Sequence, residues 1–415
     1  MNILIESGDY SLDNMGDVAM LKSTLGRLLE IWPDSVLQVV TEAPERLAKY
    51  CPDSQVVVPE YFIGRQIWLS YLISPWFTRL QNTYRWKYPL IFRSWIERRM
   101  LARQRETAAL RTFFGAVCDA DLVVACGGGY LNDVFGEATT RMLSVMRVAT
   151  QLRKPTALFG QGVGPVRSCE LLAQARTCLP SVDLIAIRER RTALPILESI
   201  GVSPTRIMVT GDDAIELANR FSAAELGNGI GVGLRVSAYS GLNAHDLAVV
   251  GMALRDAARL HGAVLVGVPT FQGDVGSDVT SVGDVLSHGA EFSDGVGRLG
   301  SLEQLLRQVS RCRVVVAGTY HAGVFALAQG IPVIGLVRSP YYGAKLLGLA
   351  DQFGAGCEVL YLDDAEVGEK LVAAIDRAWR SARRVRPLLL EAARRQTEAG
   401  RNAYRRLHEL VETRS

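Results

Sequence analysis

Short apolar runs alternate with glycine-containing loops and helical segments along this chain, and this rhythm most constrains its fold. The runs are nearly continuous in Val, Ile and Leu, as is typical of strands that are covered on both faces. Helical segments between successive runs predict right-handed crossovers and therefore parallel sheets. The glycine loops then follow the carboxyl ends of the strands, at the edge where open α/β sheets bind ligands.

The rhythm occurs twice, on either side of the polar, glycine-containing segment from Asn219 to Gly229. We therefore predict an α/β fold with two doubly wound, Rossmann-like lobes, residues 1–220 and 221–385. Residues 386–415 form a charged terminal helix after Pro387, which we expect to return to the first lobe. Two such lobes facing each other across a cleft resemble the glycosyltransferase-B architecture, and this likeness concerns the fold alone.

Composition excludes several classes of protein. The net charge of +3 over 415 residues does not provide the concentrated basic field of a nucleic-acid-binding protein. The N-terminal residues lack the features of a signal peptide, and no apolar run reaches the length of about 18 residues that a membrane span needs. Seven cysteines without C-x-x-C spacing are typical of free thiols. We expect a cytoplasmic protein without a nucleic-acid partner.

Residues 62–114 interrupt the rhythm with four tryptophans among many arginines. They predict a helical insertion in the first lobe, for which two interpretations remain open. Its aromatic side chains either pack on the lobe while the arginines stay solvated, or form a basic interfacial surface near a membrane or a lipid-linked acceptor.

The strongest candidate for chemistry is His321, in Gly318-Thr319-Tyr320-His321 between an apolar strand and a helix. This position places an imidazole at a helix N-terminus, where the helix dipole and free N–H groups favour an anion. An imidazole with an ordinary pKa near 6.5 can donate or accept a proton at cellular pH. Three cations follow other predicted strands of this lobe and together suit a small dianion: Arg235, Arg338 and Lys345.

Glycine loops of the first lobe carry further candidates. In Asn14-Met15-Gly16-Asp17, the aspartate either caps the following helix or, with Asn14, holds a polar acceptor. Asp133, after Gly127-Gly128-Gly129, is either a capping residue or a general base for a sugar hydroxyl. The three glycines allow the backbone to approach a ligand closely.

Two other loops argue against common cofactors. The loop from Gly160 to Pro165, which includes Gln161, has the pattern G-x-G-x-G rather than a dinucleotide fingerprint. Asp212 and Asp213 are adjacent and lack nearby oxygen ligands, so we expect no metal site.

The order and spacing of these pieces resemble the polysaccharide pyruvyltransferase family over about residues 2–353. The matching pieces are Asn14-x-Gly16-Asp17, Gly127-Gly128-Gly129-x-x-x-Asp133, Gly160 to Pro165, Ile187-Arg188-Glu189, Thr210-Gly211-Asp212, Leu234-Arg235, and Tyr320-His321-Ala322 through Pro332 with Tyr342 and Lys345.

This resemblance implies an enzyme that transfers pyruvate from phosphoenolpyruvate to a sugar of a cell-surface polysaccharide or its lipid-linked precursor, as a ketal. His321 would be the acid or proton shuttle, and Asp133 or Asp17 would act on the acceptor. The donor side would comprise Arg235, Thr319, Tyr320, Arg338 and Lys345, and the acceptor side Asn14, Gly128, Gly129 and Gln161. Phosphoenolpyruvate would be a co-substrate, with no further cofactor. The resemblance is compatible with a cytoplasmic enzyme at the inner face of the membrane, with peripheral membrane association, and with a homo-oligomer.

One position departs from the family pattern. The family usually has an arginine two residues before the histidine, where this chain has Thr319. The missing charge-assisted hydrogen bond would cost about 1.5–3 kcal/mol of donor binding unless Arg338 or Arg311 compensates. Two alternatives therefore stay open: a nucleotide-sugar glycosyltransferase and a non-catalytic glycan-binding member of the family. Against the former, the helix from Ala322 to Gln329 lacks the acidic residue that such enzymes commonly use to bind ribose.

Overall fold

The computed structural model describes residues 1–58, 113, 115–273, 277–293 and 296–413, which form two parallel β-sheets. Within these residues the first sheet has eight strands: β1 (Asn2–Glu6), β2 (Val36–Val40), β3 (Gln55–Val57), β4 (Leu122–Ala125), β5 (Gly128–Leu131), β6 (Thr156–Val163), β7 (Leu184–Ile187) and β8 (Ile207–Val209). Their spatial order is β3-β2-β1-β4-β6-β7-β8, with β5 paired to β6. Strand β1 lies between β2 and β4, where the winding direction of the chain reverses.

The second sheet repeats this topology on a smaller scale. Its strands are β9 (Gly229–Gly233), β10 (Val264–Gly267), β11 (Cys312–Ala317), β12 (Val333–Val337) and β13 (Cys357–Tyr361), in the order β10-β9-β11-β12-β13. The winding reverses at β9, which pairs with β10 and β11. Each sheet therefore has a switch point, and ligands of open α/β sheets bind beside such points.

Helices cover both faces of the two sheets. Those of the first lobe are α1 (Met15–Ile31), α2 (Pro44–Tyr50), α3 (Gly136–Gln151), α4 (Cys169–Cys178), α5 (Ala193–Ser199) and α6 (Ala214–Asn219). The second lobe has α7 (Ala244–His261), α8 (Asp278–Ser287), α9 (Leu302–Ser310), α10 (Tyr320–Ala328) and α11 (Pro340–Phe353). Central strands such as β1 and β4 are buried on both faces, as their continuous apolar sequence predicts.

The two lobes share part of their core. One cluster of buried side chains includes Val18 and Ile215 of the first lobe together with Phe325 and Leu346 of the second. The lobes are therefore packed against each other on one side, next to the cleft between the two sheets.

A terminal helix, α12 (Val367–Glu412), joins the lobes a second time. Its first half packs on the second lobe, where Leu371 is fully buried. In its second half the ring of Tyr404 stacks on Phe159 of the first lobe at 3.7 Å between centroids, as the expected return to that lobe requires. The predicted start after Pro387 is wrong, because this proline lies inside the helix and packing on both lobes offsets the backbone hydrogen bond it removes.

Three other details differ from, or lie beyond, the sequence prediction. Residues 128–131, predicted as a glycine turn, form strand β5, and strand β6 continues through Gly160, which has a φ of +54°, to Val163. Apart from residue 113, the predicted insertion at 62–114 lies outside the described residues. Among the helices that are described, none combines the length and apolarity needed to cross a membrane.

Candidate active site

A cavity of about 370 Å³ lies between the lobes, at the carboxyl edges of both sheets. The first lobe contributes the loop after β1, with Asp9 and Asn14, and the start of α1, with Asp17. The second lobe contributes Arg235, from the loop after β9, and His321. The glycine loops and polar residues that follow the strands therefore meet in one place, as the parallel-sheet prediction requires.

His321 is held at this edge by a helix end and a close contact between the lobes. It is the second residue of α10, and the preceding Thr319 makes no side-chain capping hydrogen bond, so the helix begins with free N–H groups. Its ring lies directly against Gly16, where any Cβ atom would overlap the imidazole. The glycine of the Asn14-x-Gly16-Asp17 motif is therefore explained by this close approach.

Asp212 reaches His321 from the first lobe. Its Oδ1 accepts a hydrogen bond of 2.9 Å from the backbone N–H of Ala214, which fixes the carboxylate. Its Oδ2 lies 3.2 Å from Nη1 of Arg188 and 3.7 Å from Nε2 of His321. The second distance is too long for a hydrogen bond, and among the described residues Nε2 has no other partner. Burial opposes ionisation of Asp212, but the neighbouring His321 and Arg188 hold the pKa of this carboxyl below its usual value.

Arg188 is a buried cation with a donor left for a ligand. Its guanidinium lies 4.0 Å from the ring centroid of Tyr320 and occupies space that Gly129 and Gly162 leave open. Nη1 pairs with Asp212, whereas Nη2 is buried and has no hydrogen-bonding partner within the described part of the chain. A buried N–H without a partner is costly, so Nη2 is suited to bind an anionic group in the cavity.

Lys345, on α11, lies beside Arg188 under the backbone of Gly129. Its Nζ donates a hydrogen bond to the hydroxyl of Tyr341, which in turn donates to the carbonyl of Gly129 at 3.1 Å. Loss of hydration in the cavity, followed by repulsion from Arg188, lowers the pKa of Lys345 well below its usual value. An incoming anion would reverse this shift by favouring the charged amine.

Asp17 and His321 shift in opposite directions. Loss of hydration, reinforced by the charge of Asp9, raises the pKa of Asp17 to about 8, although Lys345 and Arg188 oppose the shift. Burial lowers the pKa of His321, although Asp212 opposes that shift. Near neutral pH the carboxyl therefore holds a proton and the imidazole is uncharged. Asn14, rather than Asp17, caps α1, since its side chain accepts from Gly16 N–H at 3.0 Å.

Arg235 lines the cavity, but its charge is already balanced. Nε and Nη2 donate to the two carboxylate oxygens of Asp278 at 2.6 and 3.2 Å, and Nη1 donates to the hydroxyl of Tyr239 at 2.9 Å. The guanidinium also lies 4.5 Å from the ring centroid of Phe271. Its geometry is that of a fixed wall of the cavity more than of a free anion clamp.

The cavity brings together eight of the predicted site residues: Asn14, Asp17, Gly129, Arg235, Thr319, Tyr320, His321 and Lys345. Four others make structural contacts elsewhere, as follows.

Asp133 does not line the cavity, because its carboxylate accepts from the backbone N–H groups of Arg167 and Ser168 at 2.6 and 3.1 Å. Arg338 is directed away from it, since Nη1 donates to Asp246 and to the carbonyl of Leu362. These contacts correct the general-base role considered for the aspartate and the donor role assigned to the arginine.

Gln161 and Gly128 contact Tyr130, a residue of the cavity wall, from the side away from the cavity. The amide of Gln161 is fully buried and donates to the carbonyl of Cys126 at 2.6 Å and to the hydroxyl of Tyr130 at 3.1 Å. Gly128 leaves room for the ring of Tyr130, which a Cβ atom would contact. Both residues therefore position a cavity wall, and neither lines the cavity as an acceptor-side residue would.

Several residues of the site were missed as functional candidates. Arg188 follows β7 as Arg235 follows β9, so its place after a strand was an available signal. Asp212 belongs to a matching family piece but is not among the predicted site residues, and it and Asp213 pair with Arg188 and Arg27. The contact between Phe135 and Tyr239, from different lobes, left no local pattern in the sequence.

Residues from most of the matching pieces of sequence line one cavity. Comparison with known families agrees with the resemblance that these pieces carry. The family model for polysaccharide pyruvyl transferase matches residues 14–340. The chain belongs to this family. No curated protein matches its sequence.

Solved structures similar to this pyruvyl transferase family member share its two-lobed fold. A UDP-GlcNAc 2-epimerase from Neisseria meningitidis is similar with a TM-score of 0.58 and 11% identity, covering 100% of both chains. A UDP-GlcNAc 2-epimerase from Methanocaldococcus jannaschii has a TM-score of 0.55 at 11% identity, covering 91% of this chain and 92% of that one. A glycosyltransferase from Rickettsia africae has a TM-score of 0.55 at 10% identity, covering 100% and 99%. These likenesses show the glycosyltransferase-B-like fold alone.

Within the family pattern, Thr319 stands where an arginine is usual. Its hydroxyl accepts from Thr270 at 3.4 Å, so the position is filled by a small polar contact. Arg311 and Arg338 do not replace the missing charge, because neither lines the cavity. Arg188 and Lys345 instead supply a guanidinium and an amine close to His321.

Proposed function

We propose that this protein transfers pyruvate from phosphoenolpyruvate to a saccharide, forming a ketal and releasing phosphate. One observation carries the proposal: Arg188, Lys345 and His321 meet the carboxyl of Asp17, whose pKa is raised by burial, in a single cavity between the lobes. Membership of the polysaccharide pyruvyl transferase family supports the reaction class.

Phosphoenolpyruvate carries a carboxylate and a phosphate, and the cavity offers a donor to each. The free Nη2 of Arg188 and the open N-terminus of α10 suit one anionic group. Lys345 suits the other, because an anion nearby restores the charge that the cavity suppresses. Thr319 and Tyr320 stand at the same helix end, and Arg235 closes the wall beside them.

The directions of the two pKa shifts favour the reverse of the roles that the resemblance implies: Asp17 acts as the acid on the donor, and His321 acts as the base on the acceptor. Asp17 donates its proton to the methylene carbon of the enol, and positive charge develops at the central carbon. A sugar hydroxyl forms a C–O bond to this carbon, and neutral His321 accepts the hydroxyl proton. The C–O bond to phosphate then breaks and a second hydroxyl closes the ketal. Of the two hydroxyl protons, one replaces the proton lost by Asp17 and the other leaves with phosphate.

The test supplies purified protein with phosphoenolpyruvate and a panel of glycans. We expect phosphate release that depends on a glycan, and a glycan mass increased by one ketal-linked pyruvate. The matched control is His321→Gln, which keeps a polar side chain but cannot carry the proton. Turnover by this variant at the wild-type rate would remove His321 from the mechanism.

A ligand screen separates the two alternatives. Stabilisation by phosphoenolpyruvate supports the proposal, whereas stabilisation by nucleotide sugars alone supports a glycosyltransferase like the structural neighbours. In α10 (Tyr320–Ala328) no acidic side chain is present to bind a ribose, which argues against that alternative. Binding of saccharides with no response to either donor would indicate a non-catalytic member of the family.

A further inference from the structure

One wall of the cavity is built from aromatic rings. Phe135, in front of α3, lies 5.4 Å from Tyr239 and 6.0 Å from Tyr341, measured between ring centroids. Tyr239 and Tyr341 are themselves 6.1 Å apart and nearly perpendicular, at 89°. Phe135 belongs to the first lobe and the two tyrosines to the second, so this aromatic wall (Phe135, Tyr239, Tyr341) crosses the cleft. Phe135 and Tyr239 are half-buried and line the cavity.

The aromatic wall adjoins the cationic end of the cavity. The hydroxyl of Tyr341 contacts Nζ of Lys345 and the carbonyl of Gly129, while its ring faces Phe135. A molecule resting on Phe135 and Tyr239 would therefore be next to a donor held by Lys345. This is the place that an acceptor must occupy.

From Phe135 the cavity continues along one face of α3. Ala138 and Arg141 follow Phe135 at helical spacing, and all three line the cavity. The guanidinium of Arg141 lies 4.3 Å from the ring centroid of Tyr10 and is attracted to the buried carboxyl of Glu6. The small side chain of Ala138 leaves space between the aromatic wall and this pair.

The mouth of the cavity next to Tyr10 carries two carboxylates, Asp9 and Glu42, against the one guanidinium of Arg141. Asp9 accepts hydrogen bonds from Ser11, and Glu42 is exposed with its backbone N–H bound to the carbonyl of Tyr10. Both carboxylates line the cavity. They can accept hydrogen bonds from hydroxyl groups, and because they outnumber Arg141 this acidic mouth would repel a carboxylate or phosphate on the same ligand.

We propose that the aromatic wall and the acidic mouth form an acceptor subsite for an uncharged sugar residue. The apolar face of the pyranose packs on Phe135 and Tyr239, and its hydroxyls reach Asp9 and Glu42. The subsite selects neutral hexoses over uronic acids and phosphorylated sugars. This inference rests on the proposed function for its orientation towards the donor, and it concerns residues that do not themselves transfer a proton.

The experiment compares Phe135→Leu with Phe135→Tyr, since both fill the space but only the second keeps a ring. Saturation-transfer NMR with methyl glycosides of neutral hexoses, in the absence of phosphoenolpyruvate, reports binding without turnover. For the wild type and for Phe135→Tyr we expect saturation transfer to the ring protons of the glycoside. For Phe135→Leu we expect this transfer to be lost. In turnover assays, Phe135→Leu should raise KM for the acceptor about tenfold and leave KM for phosphoenolpyruvate within about twofold, as expected for the loss of one ring contact.

A second variant tests the charge argument. Glu42→Lys should lower the preference for methyl glucoside over methyl glucuronide by about tenfold, because a repulsive charge becomes attractive. An acceptor KM that does not change in Phe135→Leu, or a wild-type preference for the glucuronide, would overturn the subsite. Ring-dependent binding of neutral glycosides without any turnover would uphold the subsite and instead refute the proposed transfer reaction.

Discussion

The imidazole of His321 lies 3.7 Å from the carboxylate of Asp212, although the two residues belong to different lobes. His321 begins a helix of the second sheet, and Asp212 follows the last strand of the first. The imidazole can keep this position relative to the carboxylate only while the two lobes keep their observed arrangement.

Asp212→Asn should impair proton transfer by His321. The carboxylate opposes the effect of burial on the imidazole, so its removal should lower the pKa of His321 further. We expect the acidic limb of the kcat profile to move to lower pH and kcat to fall roughly tenfold or more, as for a misplaced base. Measuring kcat between pH 5 and 9 would show both effects.

The neighbouring Asp213 provides a control for this substitution. Its carboxylate pairs with Arg27 at 2.6 Å, away from the cavity lining. Asp213→Asn should lower the melting temperature but leave the acidic limb in place. An acidic limb that stays at the wild-type pH in Asp212→Asn would contradict the positioning role.

Arg188→Lys should weaken donor binding. Lysine keeps the positive charge but lacks the forked guanidinium that pairs with Asp212 and leaves Nη2 for a ligand. We expect KM for phosphoenolpyruvate to rise by about 10- to 100-fold, the equivalent of one charge-assisted hydrogen bond. Arg338→Lys, in which the replaced side chain is outside the cavity, should leave that KM unchanged; equal effects of the two substitutions would argue against a donor role for Arg188.

Asp17→Asn should remove the alkaline limb of the activity profile together with most of the activity. The pKa of about 8 predicts that wild-type turnover declines above that pH, as the carboxyl loses the proton it donates. Residual turnover by the variant should lack this decline. An unchanged alkaline limb would show that another group carries the proton.

The same substitution has an expected effect on stability. The pKa of Asp17 is raised on folding from its ordinary 3.8 to about 8, so its favourable contribution is complete below pH 3.8 and is lost as the pH rises through 8. The melting temperature of Asp17→Asn relative to wild type should therefore increase between pH 5 and pH 9. A difference that is constant with pH would contradict the raised pKa.

Gly16→Ala and Gly26→Ala form a matched pair on one helix. A methyl group at Gly16 overlaps the ring of His321, whereas at Gly26 nothing lies within 4 Å. The first substitution should lower both turnover and the melting temperature, and the second should stabilise the protein by about 0.5–1 kcal/mol through its helix propensity. Thermal unfolding and steady-state assays of both variants would check this. Normal turnover by Gly16→Ala would show that His321 does not need its observed position.

Most of the architecture could be predicted from local sequence because its strands are short, apolar and separated by helices. Strands such as Asn2–Glu6 and Leu184–Ile187 consist largely of the apolar runs that predict strands. Strand β5 could not be predicted in this way, since Gly128 and Gly129 are poor strand formers and the strand pairs with β6 only through tertiary context. The helix start predicted at Pro387 is wrong because the local preference of proline does not take into account the packing of the helix on two lobes.

Those residues of the candidate site that directly follow a predicted strand could be predicted from the sequence. Position after a strand led to His321, Lys345 and Arg235, which all line the cavity. It also led to Asp133 and Arg338, whose partners lie elsewhere and are distant in sequence. The pairing of Asp212 with Arg188, and of Arg235 with Asp278, decides which charges remain available, and such pairing depends on the folded arrangement.

The helix that starts on one lobe and ends on the other acts as a strap across the back of the molecule. With Tyr404 stacked on Phe159 and Leu371 buried in the opposite lobe, wide separation of the halves would strip apolar surface at one of its ends. A motion that opens the cleft must therefore bend this helix or release one of its ends. If the proposed reaction takes place in the cleft as it is seen here, a long glycan could insert only a chain end or a protruding side branch, so modification would fall on those units and spare the interior of a packed polymer.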